Sequence, residues 1–461
     1  MRIAVVTAMP PTSLRFDRGT LRIDAENTVE LCADAIWDDR TACWRAPAYR
    51  YVRVLEDLKS RGIEVIDAIA PQVAATTGPW SEPPLRPYQR DALDAWIAFD
   101  QRGVIVLPTG SGKTRVAIAA FAAAKTSVLL LCPTRALLGQ WKRELESWYH
   151  GAVGVVGDGE SSIRPVTVMT FESGYRRLDL LGAKFGLVAV DEVHHFGSGV
   201  RCDALEMCPA PRRLGLTATP PKPGSAGDTR LCSLLGPVVF ELGVKDLLGT
   251  HLAPLHVVRL CAVLDPEERA RYEQLARPFE EHRRALVRAY AGMEYDAIVR
   301  TIARTPGGRD TLSAYHRAGD LAAFPRAKQR MVRSLLDRCR NEKTLVFTAY
   351  TDHAYTISAD SLVPVITAEV KRAERDEILS RFRDGRYRVV VSSRVLNEGI
   401  DVPDANVAIV VGGVLGGREH VQRIGRVLRP APGKTAVVYE LVTAGTVDDS
   451  RARSREKSLV T

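Results

Sequence analysis

The stretch from Gly103 to Thr114, reading Gly-Val-Ile-Val-Leu-Pro-Thr-Gly-Ser-Gly-Lys-Thr, constrains the chain more than any other. Val104 to Leu107 is a short apolar run that suits a strand buried on both faces, and the alanines of Arg115 to Lys125 favour a helix. A Gly-rich turn lies between them. Gly110 and Gly112 let backbone N–H groups turn toward a polyphosphate, and the helix N-terminus adds a positive dipole end. Lys113 is placed to reach the β- and γ-phosphates, and the Thr114 hydroxyl to ligate Mg²⁺. A nucleoside triphosphate is the ligand this pattern expects.

The 461 residues suggest about three domains. No run approaches the roughly eighteen apolar residues of a membrane helix, and the opening Met1 to Val6 is too short for a signal peptide. The eight cysteines include no C-x-x-C pair, so reduced thiols, no structural metal and a cytoplasmic location are expected. A net charge of +9 permits a polyanionic partner without forming a dense basic tail.

Residues 1–80 read as a small α+β module, with strands at Leu21 to Ile23 and Ala35 to Trp37 and a helix from Tyr49 to Ser60 that Gly62 ends. Trp37, Trp44, Tyr49 and Tyr51 interleave with Arg40, Arg45, Arg50 and Arg53. They form either a stacking surface for unpaired DNA or a core with a solvated basic face. Pro71 to Pro84 is a linker. Beyond it Gln89 offers the donor and acceptor needed to read an adenine edge. Strands at Val128 to Cys132 and Gly186 to Val190 follow the phosphate loop, and the second ends at Asp191-Glu192-Val193-His194-His195. Asp191 is suited to hold Mg²⁺ and Glu192 to orient and deprotonate the attacking water. The adjacent histidines lack further ligands for zinc. Thr217-Ala218-Thr219 supplies hydroxyls that can bond to this cluster.

Asp265 to Phe324 changes to charged helix, either a solvated connector or a DNA-gripping insert. Apolar strands return at Thr344 to Phe347, Arg388 to Ser392 and Val407 to Val411, giving a second α/β region. On the helix Gln422 to Arg429, Arg426 and Arg429 lie three apart and share a face with Gln422 one turn earlier, which suits a polyphosphate transition state.

This set of motifs, in this order from Leu85 to Leu441, resembles the superfamily-two nucleic-acid helicases. Asp-Glu-Val-His-His, Leu-Gly-Leu-Thr-Ala-Thr, Asn-Glu-Gly-Ile-Asp-Val-Pro-Asp-Ala-Asn-Val and Gln-Arg-Ile-Gly-Arg-Val-Leu-Arg-Pro are most similar to the XPB DNA-repair helicases in their compact archaeal and bacterial form. Asp17-Arg18-Gly19-Thr20, Trp44-Arg45-Ala46 and Gly62-Ile63-Glu64-Val65 resemble that form's damage-recognition domain. The resemblance implies two RecA-like parallel-sheet lobes in tandem, with a damage-recognition-like domain at 1–80, the ATP-binding lobe at 81–264, a thumb-like insertion at 265–326 and the second lobe at 327–461. It implies ATP and Mg²⁺ as cofactors, DNA as the partner, 3′-to-5′ travel, a role in DNA repair and a nuclease partner.

By the same resemblance ATP is bound by Arg86, Gln89, Leu107, Pro108, Thr109, Gly110, Ser111, Gly112, Lys113, Thr114, Gly399 and Asp401. Lys113, Asp191, Glu192, Gln422, Arg426 and Arg429 are catalytic, and Thr114 and Asp191 hold the metal. Thr134, Arg135, Thr170 and Thr367 contact nucleic acid, and His195, Thr217 and Thr219 couple the two. One departure stands out: Pro220-Pro221-Lys222-Pro223-Gly224-Ser225 occupies the place of an Arg-Glu-Asp triplet implicated in strand opening. The alternatives are an RNA or restriction-type translocase, or an ATP-gated clamp that hydrolyses ATP without unwinding.

Overall fold

The computed structural model describes residues 12–25, 34–70, 78–196, 202–247, 251, 253–393, 405–412 and 435–460, the last seven of these by backbone alone. The chain divides into two compact units, Met1–Pro108 with Gly112–Leu242, and Gly243–Thr461 with Thr109–Ser111.

The first unit opens with strands β1 (Thr12–Asp17), β2 (Thr20–Asp24), β3 (Ile36–Asp38), β4 (Cys43–Pro47) and β5 (Val65–Asp67), in the order β3-β4-β2-β1-β5. The sheet packs Leu14, Leu21 and Ile23 against Tyr51, Val54 and Leu58 of the helix Tyr51–Ser60. Their spacing of three and four residues puts them on one helical face. The helix starts two residues later than its sequence suggests, because Ala48–Arg50 is a 3₁₀ turn. That turn aims Tyr49 away from the module and into the core of the neighbouring sheet, beside Leu205 and Leu234. Its hydroxyl lies 3.4 Å from Ser233 Oγ.

This packing answers the question left by the interleaved aromatics and arginines. Tyr49 and Tyr51 are buried, and Trp37 and Trp44 meet edge to face at 5.5 Å. Arg45 bonds to Asp17 and Asp38, Arg40 to Asp38, and Arg50 and Arg53 lie 3.5 Å from Asp34. Each of these arginines thus has a carboxylate neighbour, while Arg40 and Arg53 stay exposed and the two tyrosine rings do not.

The larger sheet of this unit contains β6 (Arg102–Val106), β7 (Val128–Cys132), β8 (Val153–Gly157), β9 (Glu160–Ser162), β10 (Val166–Thr170), β11 (Leu187–Asp191), β12 (Arg212–Thr217) and β13 (Val238–Glu241), in the order β13-β6-β12-β11-β7-β10-β8-β9. Every pairing is parallel except β8 with β9. The central strands are buried along their whole length, as parallel strands covered by helices on both faces must be. β12 also carries a fully buried arginine, whose charge disguises it as a surface residue. Arg213 donates to the carbonyls of Ala210, Leu205, Leu234 and Cys208, and burial pushes its pKa down to about 10.

The second unit is built on β14 (Leu255–Ala262), β15 (Thr344–Phe347), β16 (Val365–Ile366), β17 (Val389–Ser392), β18 (Val407–Val410) and β19 (Ala436–Thr443), all parallel in the order β14-β19-β18-β15-β17-β16. β14 pairs with β19 over eight residues. The lobe boundary expected at 264 therefore lies earlier, after Leu242, because β14 completes the second sheet. The helices Pro266–Ala289, Tyr295–Ala303 and Gly308–Ala323 then rise from the second unit. An Asp265/Glu268 capping box starts the first of them. They have a core of their own around Phe279, Ile302 and Tyr315, with Phe279 and Tyr315 stacked at 3.9 Å. Among the described residues no helix is long and apolar enough to cross a membrane.

One buried ion pair ties the second sheet to its C-terminal helix. Lys328, fully buried, donates to Asp448 Oδ2 at 2.7 Å and to the carbonyls of Ala323 and Val411, and Asp448 also accepts from Thr443 N. Removing one partner leaves a buried charge unmatched, at a cost of about 3 to 5 kcal/mol. Lys328→Met should lower the melting temperature of the second unit by roughly 6 to 20 °C. Lys328→Met with Asp448→Asn should recover part of that loss, and differential scanning calorimetry of the three proteins checks both statements.

Candidate nucleotide and nucleic-acid site

All the candidate residues of the first lobe lie at one edge of its sheet. Strands β6, β12, β11, β7 and β10 run parallel, so the loops that follow them emerge together, where open α/β sheets bind ligands. Val106 pairs with Thr217, Leu216 with Asp191, Val190 with Leu131, and Cys132 with Thr170. The phosphate loop, the Thr-Ala-Thr run and the acidic pair are thus neighbours at one end of the row. Thr134 and Thr170 are neighbours at the other.

Gly110 has φ of 87° and Gly112 of 83°, a region that favours glycine, and Gly112 caps the helix Lys113–Ala124. A Cβ on Gly112 would come within 2.5 Å of Gln89 Nε2. Gln89 is buried in the first turn of the helix Pro87–Ala98, where its Oε1 accepts from Arg86 N at 2.9 Å. The Gln89 acceptor therefore caps its own helix while the amide nitrogen faces the loop. Arg86 also donates to the Tyr88 hydroxyl at 3.4 Å. Lys113 Nζ donates to Leu107 O at 3.1 Å and reaches Pro108 O at 3.5 Å.

Asp191 ends β11 and is 8% exposed. Its Oδ1 accepts from Glu192 N at 3.0 Å, and its Oδ2 from Trp141 Nε1 at 2.8 Å. Burial raises its pKa, opposed by the Trp141 hydrogen bond and the Lys113 charge. Glu192 has φ of 51°, uncommon for a residue with a side chain, and this sharp turn directs it away from the strand's path. His194 Nδ1 lies 3.5 Å from Glu192 Oε2 and 3.1 Å from Thr217 Oγ1. Thr217 Oγ1 in turn contacts the backbone of Thr219, accepting from its N–H at 3.1 Å and lying 3.2 Å from its carbonyl oxygen.

His194 thus touches the Thr217 strand end beside His195, to which the coupling role was ascribed; the His195 ring lies 4.3 Å from that of His194 and near Phe171.

At the other end of the row Thr134 Oγ1 accepts from Leu137 N at 3.2 Å and so caps the helix Arg135–Trp148. Arg135 is exposed and lies 3.6 Å from Asp158. Thr170 Oγ1 accepts from Ser173 N at 3.3 Å and lies 2.9 Å from Ser173 Oγ, capping the helix Phe171–Leu181. Two helix N-termini thus face the side where a phosphate backbone is expected. Thr367 of the second unit differs. It is fully buried, its hydroxyl held by the Tyr355 hydroxyl at 3.1 Å and by Glu369 N at 3.3 Å. Gly399, Asp401, Gln422, Arg426 and Arg429 lie outside the described residues.

The donors fit magnesium better than zinc. Among the described residues no group of three His, Cys, Asp or Glu side chains is arranged to hold a metal. Mg²⁺ needs only one or two protein oxygens, with phosphate and water completing the shell. Asp191 lies near enough to Lys113 to feel its charge, and Thr114 follows Lys113 in the first turn of the next helix. Trp141 and His194 had no site role in the sequence reading. Trp141 follows Leu138 by three residues and precedes Leu145 by four, a spacing that marks only a buried helix face.

Comparison with known proteins agrees with this geometry. A model of the Xeroderma pigmentosum group B helicase damage recognition domain matches residues 14–69. A model of the type III restriction enzyme res subunit matches 82–222, and the helicase conserved C-terminal domain matches 327–431. The chain is 36% identical over 446 residues to the DNA 3'-5' translocase XPB2 of Sulfurisphaera tokodaii, covering 96% of this chain and 99% of that protein. It is 33% identical to the DNA 3'-5' helicase XPB of Mycobacterium tuberculosis over 81% of its own length, and spans 63% of that relative. The Hef helicase domain of Pyrococcus furiosus matches 81% of the chain with a TM-score of 0.53 at 18% identity, a likeness of fold. With its phosphate loop, its Asp-Glu turn and its N-terminal module in the family's order, the chain belongs to the XPB family of helicases.

Proposed function

We propose that this protein is an ATP-dependent DNA translocase and helicase that travels 3′ to 5′ and serves DNA repair. The observation that carries the reading is the row of parallel strand ends, along which the phosphate loop and two capped helix N-termini share one end of the sheet. The naming of the relatives as DNA 3'-5' translocases and helicases supports the polarity and the choice of nucleic acid.

In this reading the loop N–H groups and Lys113 bind the β- and γ-phosphates, and Thr114 and Asp191 hold Mg²⁺, which offsets charge on the phosphates. Glu192, turned out of the strand by its positive φ, orients the attacking water and accepts its proton. His194 links Glu192 to Thr217, so the shift of one is felt by the other. Gln422, Arg426 and Arg429 complete the site from the second lobe, with Gly399 and Asp401 beside the nucleotide. Thr134, Arg135 and Thr170 contact the strand.

Translocation should exceed strand separation. The segment that replaces the Arg-Glu-Asp triplet is a proline-rich turn with Gly224 at φ of 73°, and Ser225 simply caps the helix Ala226–Leu235. Opening duplex means overcoming stacking of about 1.4 kcal/mol per step, so a motor without a strand-splitting element depends on frayed or forked DNA. A nuclease partner would then cut what the motor exposes. Displacement of a triplex-forming strand faster than unwinding of blunt duplex is the expected outcome, and rapid blunt-duplex unwinding would overturn it.

Lys113→Ala should weaken ATP binding, whereas Glu192→Gln should bind ATP normally and lose turnover, because Glu192 acts on water only as the bond breaks. Equilibrium nucleotide binding alongside DNA-stimulated ATPase rates distinguishes the two. Normal turnover in Glu192→Gln would remove the assigned role.

Arg426→Ala should lower hydrolysis by about 10³- to 10⁵-fold while nucleotide affinity stays within a few-fold. Arg426→Lys should not rescue it, since a point charge lacks the planar fork of guanidinium. An ATPase assay of both variants decides this. The clamp alternative separates at the same bench: a clamp would hydrolyse ATP on DNA yet displace no strand from any substrate.

A further inference from the structure

The contact between Trp141 and Asp191 joins two parts of the first lobe that the motifs leave separate. Trp141 is 3% exposed, and its indole N–H donates at 2.8 Å to Asp191 Oδ2, the oxygen not bonded to Glu192 N. It belongs to the helix Arg135–Trp148, which begins at the Thr134 cap and Arg135 on the nucleic-acid side of the sheet. Six residues separate Arg135 from Trp141, about 9 Å along the helix. One rigid element thus has its first turn at the expected phosphate-backbone contact and its second turn bonded to the carboxylate expected to hold Mg²⁺.

We propose that Trp141 is a positioning residue that couples nucleic-acid binding to the nucleotide site, by making the orientation of the Asp191 carboxylate depend on the placement of this helix. The inference rests on the reading of this lobe as a DNA-stimulated ATPase. The physical case has three parts. The bond to a carboxylate is charge-assisted and directional, so a small shift of the helix changes it steeply. The carboxylate is buried, where water cannot replace a lost donor. The helix is packed through Leu138 and Leu145 on the same face as Trp141, so movement of its N-terminus is transmitted and not absorbed by side-chain freedom. His194, bonded to Thr217 and near Glu192, joins strand ends beside the phosphate loop, a connection separate from this helix.

Coupling between binding sites is reciprocal and is measured without turnover. Binding of a fluorescein-labelled single-stranded oligonucleotide to the full chain, followed by anisotropy with and without a non-hydrolysable ATP analogue and Mg²⁺, gives the factor by which nucleotide alters DNA affinity. Coupled sites ordinarily show factors of about 5 to 150. Trp141→Phe keeps the ring and removes the N–H. It should bring this factor close to one while affinity for DNA alone, and the thermal melting point, stay near those of the unaltered protein. Trp141→His, which retains a ring N–H, should restore part of the factor. A purely structural role would lower the melting point and weaken both affinities while leaving their ratio unchanged. If Trp141→Phe keeps the full factor, the inference is wrong. If the unaltered protein itself binds no DNA, or shows no ATPase stimulation by it, the proposed function fails instead.

Discussion

A carboxylate buried at the end of a parallel strand is the constraint around which the first lobe is arranged. Burial raises the pKa of Asp191 and so disfavours the charged form that a divalent cation needs. The fold counters this with donors from three directions: the indole of Trp141, the next backbone N–H and the nearby Lys113 charge. Each comes from the segment that follows a different strand of the same sheet. The order β6-β12-β11-β7 brings those segments together, because the strands on either side of the acidic pair come from distant parts of the chain. A change of strand order would leave the same residues in sequence and scatter the site.

The turn after Asp191 shows how local strain serves that arrangement. Glu192 adopts a positive φ that a residue with a side chain rarely takes, with its N–H bonded to the Asp191 carboxylate and its own carboxylate near the His194 ring. A relaxed extended backbone would carry Glu192 onward along the strand direction. The strained turn sends two adjacent acids in different directions, as the two tasks proposed for them require.

Much of this was legible in the chain itself. The phosphate loop, the buried apolar strands and the Asp-Glu pair are local patterns, and each was found where its residues predict. The parts that were not legible depend on contacts made at a distance. Trp141 looks like any core residue of an amphipathic helix until its indole meets Asp191 fifty residues later. Arg213 looks like a surface charge until four carbonyls close around it. Thr367, expected at the DNA, is buried with its hydroxyl bonded to that of Tyr355. β14 precedes the charged helices and joins the second sheet through β19, a partner some 180 residues away. The arginines of the N-terminal module left two readings open for a different reason. Their carboxylate partners are close in sequence, but only strand pairing reveals which of them meet.

The placement of Tyr49 bears on how the chain reaches this structure as it is made. Its ring belongs to the core of the larger sheet, and its hydroxyl meets Ser233, a residue 184 positions later. At synthesis rates of about 5 to 20 residues per second, the N-terminal module waits roughly ten to forty seconds for the surface that will cover this ring. During that time its own core, around Leu14, Leu21 and Tyr51, can close without help, while Tyr49 stays uncovered. The module's folding is therefore early and its docking late, with an exposed aromatic marking the interval between them.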